Sequence, residues 1–443
     1  MTYFFYTLLT YLALPWAFYR LHKKGSITPA YRERWAERCG KPGFKIKNSI
    51  WIHAVSMGES IAALPLIERL LKDFPNQTIL VTSMTPTGSA YIAKHLGDRV
   101  KHCYLPYDTP VFIRKFLLAT QPKILLLIET ELWPNLLREL SLKKIPIVLV
   151  NARLSERSYL KYQRFKTLSQ QMLSYLTMTL AQTQEEAERF IDLGQPKDHI
   201  HVTGSLKFDL TLPDNIEEKA AVFKSQIQDR PVWIAASTHE GEESYLLDVH
   251  QHFLNAFPKG LLILVPRHPE RFSKVKTLCE QAGFNTQNRS LSNNIISPST
   301  QIFLVDTMGE LLLFYSLADV AFVGGSLIPH GGHNLLEPAA LKIPMLTGPH
   351  VFNFQKITEI LVQAGAAIVT PNVTSLTQAL RDLFKHPEKR KKMSAAAYQV
   401  IQENRGALDR QYDLILSVLS RSNARESSSP NTRHHAGAGT ART

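Results

Sequence analysis

Short apolar runs, each closed by a turn and followed by an amphipathic stretch, recur along most of this chain and fix its class. The first five are SIWIHAV (49–55), TILVTSM (78–84), KILLLIE (123–129), PIVLVNA (146–152) and MTLAQT (178–183). A second set begins after residue 230: PVWIAAS (231–237), LLILVPR (261–267), QIFLVD (301–306), DVAFVGG (319–325) and IPMLTG (343–348). Runs this short and this continuously apolar predict strands buried on both faces. Helical stretches between them, such as SIAALPLIERLLKDF and PNLLRELSLKK, predict parallel βαβ units. The chain is therefore expected to form two doubly wound α/β domains facing a cleft, with ligands at the carboxyl ends of the strands. A composition of 44% hydrophobic and 20% charged residues excludes disorder over the whole length.

The flanks differ from this pattern. Residues 1–19 carry no charge, and Arg20, Lys23 and Lys24 follow. The apolar stretch is slightly short of a strain-free bilayer span and contains Pro15. It lacks the basic start and small-residue cleavage site of a secretory signal. Residues 1–20 are read as a membrane-anchor helix, spanning or interfacial. Nine basic residues against two acidic ones between Arg20 and Lys47 favour an anionic lipid surface on the cytoplasmic side. The whole chain has 51 basic and 38 acidic residues, a net charge of +13. No nucleic-acid-reading motif accompanies that excess, so nucleic acid is not the expected partner. Three separated cysteines support neither a disulfide framework nor a zinc cluster. The expected boundaries are an N-terminal domain over 21–210, a polar linker punctuated by proline over 211–230 and a C-terminal domain over 231–420. Residues 421–443, nearly devoid of apolar side chains, are expected to be disordered, with His434 and His435 incidental.

Four clusters could carry chemistry. Glu59, after Gly58 in WIHAVSMGES (51–60), opens a helix and could accept a proton from a bound hydroxyl, or could simply stabilise the first helical turn. Glu129 and Glu131 end the apolar run of LLLIETELWPN (125–135). Two carboxylates there are costly unless used, and period two could aim them at one face. Helix capping before Pro134 and a metal pair are the other readings, although no D-x-D sequence occurs in the chain. Lys207 in VTGSLKFD (202–209) sits at the end of the first half as a compact positive charge. The most informative cluster is FVGGSLIPHGGHNLLEPAAL (322–341), read as a strand, a glycine-rich loop and a helix. Gly331 and Gly332 would let backbone amides approach an anion, Asn334 could cap a helix from Leu335, and Glu337 could accept from ribose hydroxyls. It is neither a Walker loop nor G-x-G-x-x-G. LVPRH (264–268) and DTMGE (306–310) end two strands of the same half, with Arg267 a natural phosphate ligand.

HAVSMGE, ETELWPN, NARLSERS, AQTQEEAERF, GSLKFD, PRH, MGE and GGHNLLEP occur here in the order and spacing of the bacterial 3-deoxy-D-manno-octulosonic acid (Kdo) transferases of lipopolysaccharide biosynthesis. The resemblance extends from the N-terminal segment to about residue 420. It implies a GT-B glycosyltransferase of two Rossmann-like domains, the first binding the acceptor and the second CMP-Kdo. By matched position it implies Glu59 as general base, with Glu129 and Lys207 assisting at the transition state. It places CMP at Arg267, His268, Met308, Gly309, Glu310, Asn334, Leu335, Leu336 and Glu337. The implied acceptor is a lipid A precursor (lipid IVA) at the bacterial inner membrane, and no cofactor or metal is implied. Read from the residues alone, another GT-B transferase or a sugar epimerase using a UDP-sugar remains the alternative.

Overall fold

The computed structural model describes residues 2–427 apart from 211 and 214. The described chain divides into two compact units, residues 2–209 with 406–427, and residues 210–405.

In the first unit the strands are β1 (Ser49–His53), β2 (Ile79–Ser83), β3 (Lys101–Tyr104), β4 (Pro122–Ile128), β5 (Ile147–Ala152), β6 (Met178–Ala181) and β7 (Ile200–Val202). They form one parallel sheet in the order β3-β2-β1-β4-β5-β6-β7. The chain winds outward from β1 in one direction, returns, and winds outward from β4 in the other, so the β1/β4 junction is the topological switch point. Side chains alternate along β1. Ile50 and Ile52 join Leu66, Ile67, Leu126 and Val150 on one face, while Trp51 packs with Phe116, Leu125 and Leu149 on the other. Both faces are dry, which is why these strands read as unbroken apolar runs.

The second unit repeats the design with β8 (Val232–Thr238), β9 (Leu261–Pro266), β10 (Thr286–Asn288), β11 (Ile302–Leu304), β12 (Val320–Val323), β13 (Met345–Thr347) and β14 (Ala367–Val369). The order β10-β11-β9-β8-β12-β13-β14 puts its switch point between β8 and β12. Trp233, Ala235, Leu262 and Phe322 fill one face; Ile234, Ala236, Ile263 and Ala321 fill the other.

Three expected boundaries are corrected. Residues 211–230 are not a bare linker: Ile216–Ile227 is a helix that buries Ala220, Phe223 and Ile227 in the second unit's core. The C-terminal domain does not run to 420, because the chain returns to the first unit at Gly406. There Tyr412, Ile415, Val418 and Leu419 of the helix Ala407–Ser427 complete the core beneath β1 and β4. The Asp209 carboxylate fixes this return by accepting the N–H groups of Gly406 (2.7 Å) and Leu408 (2.6 Å). The tail expected to be disordered from 421 is helical to Ser427, and residues 428–443 lie outside those described.

At the other end a helix spans Thr2–Lys24, and no described helix is long and apolar enough to cross a membrane. One face of this helix docks on the first unit. Tyr6 donates to Asp108 Oδ2 (2.8 Å), Thr7 to Asn135 Oδ1 (2.8 Å), and Phe18 packs against Trp35 and Tyr107. Phe4, Leu9, Leu12, Trp16 and Tyr19 on the remainder are more than half exposed.

Because Ile415 is fully buried, Ile415→Ala should cost the first unit about 2–5 kcal/mol. Thermal unfolding followed by hydrogen exchange should show the loss in residues 49–209 and leave the second unit's amides unchanged.

Candidate active site

In the first unit the ionisable groups gather at the carboxyl ends of β1 and β4. Ser56 caps the helix Met57–Asp73, and Glu59 is that helix's third residue. Ser56 Oγ accepts the Glu59 N–H (3.4 Å) and donates to Glu59 Oε1 (3.0 Å); the Val55 N–H donates to Oε2 (2.7 Å). Ser56 thus caps the helix in the usual way, while the Glu59 carboxylate reaches back past the cap to the Val55 N–H at the sheet edge. Glu59 is only 9% exposed. Burial raises its carboxyl to about 7, the charges of Glu131 and Glu129 add to the rise, and the Val55 and Ser56 donors oppose it. A carboxyl balanced near neutrality is suited to exchanging a proton.

The strand β4 stops at Ile128, before the acidic pair. Glu129 lies in the left-handed region (φ 58°), so Glu129 and Glu131 leave the pleat and do not project from one strand face as period two suggested. Burial, then the charge of Glu129, raises the Glu131 carboxyl. Glu129 is paired with Lys207 Nζ at 3.0 Å, both half-buried. Lys207 is carried on the tight turn Leu206–Phe208, which is fixed from two sides. Asn151 Oδ1 accepts the Leu206 N–H (3.0 Å), while Gln411 accepts the Asn151 N–H (3.1 Å) and donates to Gly204 O (3.1 Å). The returning C-terminal helix thus positions Lys207, and the three residues expected to act together are neighbours.

In the second unit the corresponding groups end β8, β9, β11 and β12. Arg267 and His268 follow β9. Met308 is 53% exposed and Gly309 has φ 89°. Glu310 accepts from Arg289 (2.8 Å) and from the Thr307 hydroxyl, which leaves it largely occupied in holding its own loop. The helix after the glycine loop is five residues, Leu336–Ala340, and begins one residue later than expected. Asn334 Oδ1 accepts the Leu336 N–H (3.1 Å), and its amide donates to Glu337 Oε1 (3.3 Å). Leu335 and Leu336 point into the core, so they can meet a ligand only through backbone. Burial raises the Glu337 carboxyl, with Asn334 and then Arg267 opposing the rise.

Two features were not singled out in the sequence. The fully buried Glu242, first residue of the helix Glu242–Ala256, accepts the N–H groups of Gly325 (2.6 Å), Ser326 (2.9 Å), Leu327 (2.9 Å) and His239 (3.1 Å). It therefore ties the turn after β12 to the end of β8. Beside it His239, His330 and His333 stack, with His268 edge-on. The available signal was STHEGEE (237–243), polar and acidic residues directly after an apolar strand. Among the described residues no three His, Cys, Asp or Glu side chains are arranged to hold a metal ion.

Two doubly wound parallel units of seven strands each, with ionisable groups at their switch points, define a GT-B-like α/β glycosyltransferase. Residues 33–210 match the family described as 3-deoxy-D-manno-octulosonic-acid transferase (kdotransferase), and residues 230–400 match glycosyl transferases group 1. The 3-deoxy-D-manno-octulosonic acid transferase of Haemophilus influenzae is 43% identical over 423 residues, covering 94% of this chain and 99% of that protein. The chain belongs to the Kdo transferase family. Among solved structures, the C-terminal CMP-Kdo binding domain of WaaA from Acinetobacter baumannii is 38% identical. It covers 42% of this chain and 97% of that one, with a TM-score of 0.41. UDP-GlcNAc 2-epimerase from Neisseria meningitidis shares the fold alone, at 15% identity and a TM-score of 0.56, covering 84% of this chain and all of that one.

Glu242→Ala would strand four backbone donors near the second switch point, and at about 1–3 kcal/mol for each unmet buried group should cost that unit about 3 kcal/mol or more. Denaturant unfolding checks the size of the loss, and the Gly325–Leu327 amides should lose their exchange protection first.

Proposed function

We propose that this enzyme moves Kdo from CMP-Kdo to a lipid A precursor (lipid IVA) in lipopolysaccharide biosynthesis, with inversion and without a metal. Family membership across nearly the whole chain carries the reading, and the environment of Glu59 supplies its chemistry. A hydroxyl of the acceptor, held by the first unit, attacks the anomeric carbon as its proton passes to Glu59. The new C–O bond forms while the bond to the phosphate oxygen breaks, and CMP leaves with that electron pair. General base catalysis of this kind contributes about 10²–10⁴-fold. Lys207, held by Glu129, and Arg267 are the cations available to charge that develops on the donor. CMP is assigned to Arg267, His268, Met308–Glu310 and Asn334–Glu337, with Leu335 and Leu336 acting through backbone.

The exposed aromatic and aliphatic face of the helix Thr2–Lys24, followed by the basic residues to Lys47, supports an interfacial seat on the cytoplasmic face of the inner membrane. Such a helix would keep the enzyme beside a phosphorylated lipid acceptor without spanning the bilayer.

The base has a definite pH signature. Glu59 must be ionised to accept a proton, so kcat/KM should fall about tenfold per pH unit below about 7 and level off above it. Glu59→Gln should lose at least about 10²-fold in transfer while still binding CMP. Mass analysis of the lipid product across the pH series is the measurement; transfer in the variant at the native rate would remove Glu59 from the role.

Metal independence is tested separately. Product formation from CMP-Kdo should survive excess EDTA at the untreated rate, and loss restored by magnesium would instead give Glu129 and Glu131 a metal to hold.

A further inference from the structure

An open cavity of about 310 Å³ lies beside the Glu129–Glu131 loop, wholly within the first unit. That volume is at the lower end of the range for small-ligand sites. Its walls come from Tyr6 of the N-terminal helix, from Leu132 and Trp133 after the loop, and from Tyr162, Leu168 and Met172 of the helices Glu156–Arg164 and Lys166–Ser174. Phe165, which joins those two helices, also lines it and is 63% exposed. The polar members are mostly spent on the protein. Tyr6 donates to Asp108 (2.8 Å), Ser169 to Tyr162 O (2.7 Å) and Thr130 to Arg153 O. The cavity therefore offers carbon, and a sugar or nucleotide entering it would lose hydrogen bonds to water without regaining them. Glu131 marks the side nearest the reacting groups, since its charge acts on Glu59.

Apolar walls alone name no occupant; the charge next to them does. Arg157, Lys161 and Arg164 recur at the spacing of one helical face and line a surface hollow, against the single carboxylate of Glu156. Tyr162 and Phe165 directly follow the last two of these cations in sequence and line the apolar cavity instead. One short segment thus presents cations on one side and aromatic rings on another, which suits a molecule with an anionic head and a hydrocarbon chain. The chain's own residues 428–443 do not fit. They hold no Leu, Ile, Val, Met, Phe, Tyr or Trp, and their Arg433 and Arg442 would meet like charge.

We propose that this cavity takes one acyl chain of the lipid acceptor, with a phosphate of the same molecule on the Arg157–Arg164 face. The inference rests on the reading above that the acceptor is a phosphorylated lipid, and adds where its chain lies. A chain held there tethers its sugar beside Glu131, on the side of Glu59. It also makes the N-terminal helix, through Tyr6, a wall of the acceptor site.

The test uses the full chain in detergent micelles and a lipid A precursor carrying a diazirine on one acyl chain. Photolabel, mapped by peptide mass analysis, should fall on residues 130–134 and 162–172, and unlabelled acceptor should displace it. A diazirine phospholipid should label the exposed face of the helix Thr2–Lys24 and leave the cavity unlabelled. For turnover, the acylated acceptor is compared with its deacylated, still phosphorylated form. Leu168→Trp, which fills the cavity, should cut the kcat/KM advantage of the acylated acceptor about tenfold, the equivalent of about two buried methylenes. Phe165→Ser, at an exposed position, should act the same way to a smaller degree and serves if the first variant does not fold. Arg157→Gln with Lys161→Gln should raise the KM for the phosphorylated acceptor severalfold, and by less at high salt; an unchanged KM would remove the phosphate from that face. Label confined to the N-terminal helix, cavity labelling by phospholipid that the acceptor does not displace, or an acyl advantage absent from the native enzyme or unchanged in the variants would overturn the site. If the acceptor labels the cavity yet receives no Kdo from CMP-Kdo, the lipid site stands and the proposed reaction falls.

Discussion

A carboxylate at the first turn of the helix after a unit's first strand is the interaction on which both halves of this enzyme depend. Glu59 follows β1 and Glu242 follows β8, each beside its own sheet's switch point. Their fates differ through the number of donors supplied. Glu242 meets four backbone N–H groups and is consumed in holding two strand ends together. Glu59 meets one N–H and one hydroxyl, too few to offset its burial beside two other carboxylates, and so sits near neutrality. One position in the fold thus yields a structural brace in one unit and a carboxyl poised near neutrality in the other, decided by hydrogen-bond saturation.

The same logic explains which strands could be read in advance. All ten expected strands are present, and they are the inner members of the two sheets. The four that were not expected, β3, β7, β10 and β14, are the four sheet edges. An edge strand is covered less completely, so its sequence can be short and mixed, as in KHCY, IHV and TQN, and it carries no strong period. The helix Ile216–Ile227 was obscured because proline and charge around it resemble a linker, although Ala220, Phe223 and Ile227 fall at the spacing of one helical face. The return of residues 406–427 to the first unit was invisible for a different reason. An amphipathic stripe reports that a helix is buried, and carries no information about which core receives it.

At the site, residue types at strand ends were legible and their states were not. Glu59, Glu129 and Lys207 could be named from pattern and resemblance. The pairing of Glu129 with Lys207 and the Asn151–Gln411 relay that places the lysine turn depend on contacts across more than fifty positions of sequence. In the second unit Leu335 and Leu336 stand inside a strong motif, yet their side chains serve the core. A motif preserves every residue that a site needs, including those needed only to anchor its loop.

The N-terminal helix shows how a polar minority decides the fate of an apolar segment. Its composition suits lipid, but the hydroxyls of Tyr6 and Thr7 are spent on Asp108 and Asn135. Asp108 in turn accepts the N–H groups of Asn135 (3.0 Å) and Leu136 (2.8 Å), capping the helix that follows the Glu129–Glu131 loop. Burial raises this carboxyl to about 6, and the Tyr6 hydroxyl and the two amides keep the rise within that limit. Drawing the helix across a bilayer would strip Asp108 of one of its three donors and leave two side-chain hydroxyls to be satisfied in hydrocarbon. The polar face therefore belongs to the first unit's own architecture. The opposite face, with Phe4, Leu9, Leu12 and Trp16, is left exposed.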